Sequence, residues 1–259
     1  MMEYSGAVAV VTGASAGLGR RFSLDLARAG AVVTGLARRR PLLDTLSEEL
    51  RRTSPQSATA VCDVSEIERY VQVLAEIEAR HGRIDILINN AGIGEPPGEP
   101  GSPLASYRAT METNFFAAVA GTLAVLSGMS QRGRGVIVNV SSDTGRAPGP
   151  GEPAYGASKA ALSAFTESLS YPYEESGIHL HVLYPGWVPT AMGAGAVETG
   201  MPTPPKMVRR TEEQVSSLLL RRMGGPKLDI DATTVARLAP MARALVPGLY
   251  RKGVRKAST

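Results

Sequence analysis

Cysteine is nearly absent from this chain: Cys62 is the only one among 259 residues. A lone thiol excludes an intramolecular disulfide framework, and with it the small stapled folds of secreted proteins. Long hydrophobic runs are also missing. The longest, residues 115–126, is short for a membrane span and is interrupted by Gly121 and Thr122, so it reads as a buried helix. The first strand-like run begins at Ala7, which leaves little room for a leader, and a cytoplasmic location is the default expectation.

Strong charge of one sign is lacking as well. The chain has 28 basic against 24 acidic residues, a net charge of +4, and its basic residues are dispersed except at the end (Arg251, Lys252, Arg255, Lys256). No nucleic-acid-binding motif accompanies them, so no nucleic-acid partner is expected. Histidines number only three: His81 closes a helical run, and His179 and His181 alternate on a strand with no further ligands placed beside them. No metal site is expected from that spacing. The motif G-x-S-x-G is absent around Ser142, which argues against an acyl-enzyme hydrolase.

What is present is a regular alternation of short apolar runs and helical patterns. The runs are AVAVVTG (7–13), AVVTGL (31–36), ATAVCDV (58–64), IDILINN (84–90), GVIVNVSS (135–142) and IHLHVLYP (178–185). Continuously apolar strands imply a sheet covered on both faces, hence a single α/β domain built on a parallel, doubly wound sheet. Between the strands, Leu42, Leu43, Leu46 and Leu50 form one helical stripe and Ile67, Val71, Leu74 and Ile77 another. Thr211 to Gln214 fits a capping box that introduces Val215, Leu218, Leu219 and Met223.

TGASAGLG (12–19) lies between the first strand and a helical run. Glycines at 13, 17 and 19 allow a tight turn and close approach of a pyrophosphate, which the free amides of a helix N-terminus would meet. Ser15 and Leu18 complete that turn. At the end of the second strand stands Leu36-Ala37-Arg38-Arg39-Arg40, with no carboxylate to bind a ribose 2′-hydroxyl. A guanidinium suits a 2′-phosphate instead, so NADP is expected over NAD, with Arg38 the first candidate and Arg39 the second. A solvated basic corner is the plainer alternative.

YGASK (155–159) follows a Pro- and Gly-rich stretch and opens an Ala-rich helix. Residues four apart on a helix are neighbours, so Tyr155 and Lys159 can face one ligand. A phenol titrates near pH 10 and is a poor base at neutrality; a nearby ammonium favours the phenolate, and a depression of about two or three units needs a second positive charge, which an oxidised nicotinamide ring would supply. Ser142 closes the fifth strand, and ligands of a parallel sheet sit beyond the carboxyl ends of its strands. Singly, each of the three has an ordinary surface or turn reading; jointly, downstream of a dinucleotide turn, they describe a hydride-transfer site.

These motifs, with Asp63-Val64, NNAG (89–92), Asn114 and PGWVPT (185–190) in the same order, resemble the short-chain dehydrogenase/reductase family, over about residues 5–226. That resemblance implies a Rossmann fold with Tyr155 as general acid/base and Ser142, rather than Ser141, positioning the substrate oxygen. It also implies that Lys159 lowers the Tyr155 pKa and holds the nicotinamide ribose, and that Asn114 keeps a water in a proton relay. Cofactor contacts carried over in the same way are Asp63 and Val64 at the adenine, Asn90, Ala91 and Gly92 at the ribose, and Pro185, Gly186, Val188 and Thr190 around the nicotinamide. A homodimer or homotetramer is implied too.

Departures from the family pattern are visible. Ala16 stands where many NADP users carry a second basic residue, and Pro172 interrupts the helix that follows Tyr155. The carboxyl end (about 228–259) replaces the usual short strand with GGPKLDIDATT and an apolar-basic segment, which reads as a helix closing the pocket, a surface for membrane or partner contact, or a frayed tail. A lid over about 187–227, with residues 94–102 and 143–152, is expected to shape specificity. Its small apolar residues, including Trp187, Met192, Val197, Met201 and Met207, suggest a neutral, fairly hydrophobic ketone, aldehyde or secondary alcohol, although Arg146 could meet an anionic group. The function expected is an NADP-dependent carbonyl/alcohol oxidoreductase. A catalytically silent cofactor-binding protein of the same fold, and an enzyme using its bound cofactor for isomerisation or dehydration, remain the other readings.

Overall fold

The computed structural model describes residues 3–94, 104–198 and 204–257. Seven parallel strands form one sheet: β1 (Val8–Thr12), β2 (Val32–Ala37), β3 (Ala58–Val61), β4 (Ile86–Asn89), β5 (Gly135–Val140), β6 (Ile178–Tyr184) and β7 (Asp229–Asp231), in the order β3-β2-β1-β4-β5-β6-β7. Parallel neighbours need crossover connections, and helices supply them on both faces.

Along β1 the side chains alternate between two cores. Ala9 and Val11 join Phe22 and Leu26 of α1 (Gly17–Arg28) and Leu43, Leu46 and Leu50 of α2 (Arg40–Thr53). Val8 and Val10 join Tyr70, Val73, Leu74 and Ile77 of α3 (Ile67–His81) on the other face. The strand's two-residue period divides its apolar side chains between the layers.

Two helical stripes differ from the pattern read in the sequence. Val71 is 36% exposed whereas Tyr70 is fully buried, and Leu42 is 38% exposed. The buried face of α3 is thus rotated towards Tyr70, whose hydroxyl can be buried because it donates to Asn89 Oδ1 at 3.1 Å.

The apolar run 115–126 lies within a longer continuous helix. α4 (Leu104–Met111) passes through one π turn (Glu112–Phe116) into α5 (Ala117–Arg132). By length and composition that helix is apolar enough to cross a membrane. Ala117, Ala118, Gly121, Thr122, Val125, Leu126 and Met129 are nevertheless buried against the sheet layer.

α6 (Asp143–Arg146) and α7 (Pro153–Ser170) follow β5. α7 ends where Pro172 stands: Tyr171–Tyr173 tighten into a 3-10 turn, since proline supplies no amide for a continuing α-helical bond. Beyond β6 come α8 (Ala191–Glu198) and α9 (Glu212–Arg222), the latter opened by the complete Thr211–Gln214 capping box. Val215, Leu219 and Met223 sit in the core beside α1, so α9 is a flank of the domain and not part of a lid.

The carboxyl end corrects a second expectation. LDID does form a short strand: β7 pairs in parallel with β6, Leu183 opposite Ile230. Only three residues long, it offers too little alternation to be read from sequence, and its Ile230 is the one buried member. α10 (Thr234–Leu245) and α11 (Pro247–Ala257) complete the chain.

Candidate active site

Strand order reverses between β1 and β4, which opens a crevice at the carboxyl edge of the sheet where ligands of such folds bind. The glycine turn lines one side. Gly13 has φ +67°, and a Cβ on it would lie 2.9 Å from Ala91 Cα; a Cβ on Gly19 would lie 2.4 Å from the Gly13 carbonyl oxygen and 2.5 Å from Asn90 Nδ2. These two glycines are therefore required by the packing of the turn on the NNAG loop. Thr12 Oγ1 accepts from the amides of Asn90 and Ala91, each at 2.9 Å, and Asn90 Nδ2 donates to the Thr12 carbonyl. Gly17, also at positive φ, faces Thr190.

α1 starts without a capping side chain and has no acid in its first turn, so its leading amides are available to an anion. Ser15 is buried and Leu18 packs against the core. This cradle fits a pyrophosphate: uncapped amides, two close-packed glycines and guanidinium groups beside them.

The two arginines take different partners. Arg39 is the one that reaches the turn, donating through Nη2 (2.9 Å) and Nε (3.2 Å) to Ser15 Oγ. Arg38 is largely exposed and pairs with Asp63 at 3.5 Å. Asp63 also accepts from the amide and hydroxyl of Ser65; burial acts to raise its carboxyl, but the Ser65 bonds and Arg38 hold it below the usual range. Val64 is buried in the core beside it.

Across the crevice, β5 and α7 bring Ser142, Tyr155 and Lys159 together. Ser142 caps α6, its Oγ accepting from the Thr144 amide (3.3 Å) and hydroxyl (2.9 Å), and it shares a hydrogen bond with the Tyr155 phenol. Ser141 points the opposite way, donating to the Lys159 carbonyl at 3.0 Å, as strand alternation requires. Lys159 is buried; its ammonium lies 5.7 Å from the Tyr155 ring centroid and donates to the Val140 carbonyl at 2.8 Å.

In the chain alone the Tyr155 phenol is pushed up to about 12, by burial first and then by the charges of Glu152 and Asp143, with the Ser142 bond opposing. The depressed phenol expected from the sequence needs the charge of an oxidised nicotinamide in addition to that of Lys159. Burial also brings the neighbouring Lys159 ammonium down to about 8.

Asn114 lies in the π turn, a feature frequent at functional sites. Its side chain makes three hydrogen bonds: Oδ1 accepts from the Ile93 amide at 2.8 Å, and Nδ2 donates to the Ile93 carbonyl and Ser158 Oγ. Gly92 packs between Asn114 and Lys159.

The 185–190 loop is fixed from above. Gly186 adopts φ +71°, with Thr233 and the Val208 carbonyl filling the space of a Cβ. The Trp187 amide donates to the Val208 carbonyl and the Arg210 amide to that of Trp187. Val188 is buried in the core, and the Thr190 amide donates to the Val188 carbonyl at 2.7 Å. Met192 of α8 approaches Gly94. Residues 95–102, Gly200 and Met201 lie outside the described residues, as does the Val197 side chain.

Arg146 is not free for an anionic ligand. It stacks 3.4 Å from the Tyr184 ring centroid and pairs with Asp229 (2.5 Å) and Asp231 (2.7 Å) of β7. His181 is likewise committed. His181 Nδ1 donates to the Lys227 carbonyl and Nε2 accepts from the Gly224 amide, and burial lowers the ring to about 4, so it is neutral. Among the described residues no group of three His, Cys, Asp or Glu gathers as a metal set.

One buried network escaped the sequence reading. Asn89 Nδ2 donates to Asn139 Oδ1 (2.8 Å), Thr122 Oγ1 and the Ala118 carbonyl, and Asn139 Nδ2 donates to Thr166 Oγ1. It joins β4, β5, α5 and α7 beneath the site. The only signal was polar Asn89 and Asn139 at the ends of apolar strands.

A parallel doubly wound sheet, a close-packed glycine turn at its switch point, and a serine, tyrosine and lysine at the facing strand edge define a dinucleotide-binding oxidoreductase fold. The family model for short chain dehydrogenase matches residues 7–200. A short chain dehydrogenase of Pseudocercospora fijiensis is 37% identical over 194 residues, 74% of this chain and 63% of that relative. Dehydrogenase/reductase SDR family member 7B of Danio rerio is 34% identical over 259 residues, covering 94% of this chain and 82% of its own length. Among solved structures, an actinorhodin polyketide ketoreductase with NADPH aligns at TM-score 0.80 and 26% identity, over 91% of this chain and 99% of that one. This chain belongs to the short-chain dehydrogenase/reductase family.

Proposed function

We propose that this protein is an NADP(H)-dependent oxidoreductase interconverting a ketone or aldehyde with an alcohol. The observation that carries the reading is the hydrogen bond between Ser142 and Tyr155 beside buried Lys159, at the edge of the crevice opposite the glycine turn. Nicotinamide, when bound, supplies or accepts the hydride.

The chain's own residues handle the proton. Ser142 Oγ already accepts two bonds from Thr144, so its hydroxyl proton is directed to the phenol oxygen. Tyr155 then has its own proton to give to a substrate oxygen. A phenol raised to about 12 is a ready donor once an alkoxide develops, and the reverse reaction needs added positive charge to lower it. Lys159, held by Val140, supplies part of that charge and an ammonium face for ribose hydroxyls.

For the adenosine end, Arg39 beside the glycine turn and Arg38 after β2 offer guanidinium groups suited to a 2′-phosphate, and no carboxylate closes β2, which supports NADP over NAD. A neutral, fairly hydrophobic substrate is supported by the withdrawal of Arg146 onto Asp229 and Asp231 and by exposed Met192 and Met207 near the loop. We include self-association as a dimer or tetramer in this reading; half-exposed Phe116 and Leu123 on the long helix support it.

The test is a fluorescence titration with NADPH and NADH, followed by a carbonyl screen. Tighter NADPH by tenfold or more, about 1.4 kcal/mol, supports the reading. In Tyr155→Phe, kcat should fall at least a hundredfold while NADPH still binds, about the scale of lost acid catalysis. Full activity there would remove Tyr155 as the acid, and binding of neither nucleotide would favour a silent scaffold.

A further inference from the structure

The last acidic residue is Asp231; beyond it stand Arg237, Arg243, Arg251, Lys252, Arg255 and Lys256, with no Asp or Glu. Without these six the chain's 28 basic residues would be outnumbered by its 24 acidic ones. The net positive charge of the protein therefore resides in its terminal segment.

The same segment exposes its apolar side chains. Leu238, Met241 and Leu245 recur at three- and four-residue spacing on α10 and are 47%, 54% and 75% exposed. Val246 and Leu249 follow at 47% and 71%, and Leu245 and Leu249 are the two most exposed large hydrophobics among the described residues. The opposite side of α10 is used by the fold, with Ala236 buried against β6 and β7. On α11, Tyr250 and Val254 turn inwards to a cleft of about 480 Å³ shared with Pro148, Gly149 and Pro150, whose walls also carry Arg243, Arg251 and Arg255.

We propose that α10 and α11 form a docking surface for an anionic phospholipid bilayer. Exposed leucines on a helix pair that carries only basic charge match the chemistry of an interface where acyl chains lie just beneath phosphates. Charge selects this occupant over others. A second copy docked on the same face by two-fold symmetry would set this basic segment against itself. A nucleic acid would satisfy the basic groups but offers no apolar layer for Leu245 and Leu249. Arg243 also donates at 2.9 Å to the Arg146 carbonyl, so docking would bring the loop between Ser142 and Tyr155 close to the lipid.

The test is co-sedimentation of the full chain with vesicles of phosphatidylcholine alone and of phosphatidylcholine mixed with phosphatidylserine. Binding is expected to the mixed vesicles only and to weaken as salt rises. Leu245→Glu with Leu249→Glu should lower it at least tenfold, with the far-ultraviolet circular dichroism unchanged. Replacing Arg251, Lys252 and Arg255 by Gln should lower it on the order of a hundredfold, at about fivefold per charge. Both sets of positions are exposed and outside the crevice, so NADPH binding serves as a folding control. Failure to bind mixed vesicles, equal binding to phosphatidylcholine, or insensitivity to both variants would each overturn the proposal. Loss of self-association in the glutamate variant without any vesicle binding would overturn it too, assigning the face to a second copy.

Discussion

Lys159 Nζ donates a 2.8 Å hydrogen bond to the carbonyl of Val140, the last residue of β5. One ammonium thus ties α7 to the sheet edge, and it does so from a buried position.

That burial has a pH signature. The Lys159 pKa is lowered from 10.5 to about 8, so below pH 8 the folded chain carries a charge that the unfolded chain holds more easily. At about 1.4 kcal/mol per pKa unit, the penalty is on the order of 3 kcal/mol. Between pH 8 and 10.5 the unfolded state binds the extra proton, so this contribution makes stability rise with pH. Lys159→Met is expected to raise the Tm at pH 7 and to remove the rise; urea unfolding at several pH values checks it. A steeper rise in the variant would contradict the assignment.

Cofactor choice should divide between the two arginines. Arg39→Ala removes the contact with Ser15 of the glycine turn and is expected to weaken NADPH by tenfold or more while sparing NADH. Arg38→Ala also frees Asp63 and should have the smaller effect on that preference. Calorimetric titration of both variants with both nucleotides measures it, and parallel losses for NADPH and NADH would remove the reason for preferring NADP.

Arg146 is expected to be structural. Arg146→Met leaves Asp229 and Asp231 facing each other across the space of a guanidinium, at a cost of about 2 kcal/mol, moderated because Asp229 is 45% exposed. Arg146→Lys keeps the charge but loses the fork and the flat stack on Tyr184, so it should recover only part of the loss. Denaturant midpoints would show the order wild type, Lys, Met. A substrate-specific KM defect with unchanged stability would instead return Arg146 to the binding site.

Much of this architecture is legible in local sequence. β1, β2, β4, β5 and β6 are apolar enough to announce a sheet covered on both faces, and Gly13 and Gly19 mark the turn because nothing larger fits there. The Thr211 cap and the end of α7 at Pro172 are also local, set by hydrogen-bonding capacity within a few residues. β7 was not legible: three residues with two aspartates look like a turn until Arg146 is found between them.

By itself, then, the sequence determined the alternation of the first six strands with helices, the tight turn after β1, and the proximity of Tyr155 and Lys159, because periodicity, missing Cβ atoms and helical spacing act over short distances. Tertiary structure decided which side chains were already spent. Arg39 rather than Arg38 meets Ser15, Arg146 is taken by β7, Asn114 clasps Ile93, and burial raises Tyr155 in the chain alone. Pairing and desolvation depend on groups brought together from distant parts of the chain, and those distances exist only once the sheet has closed.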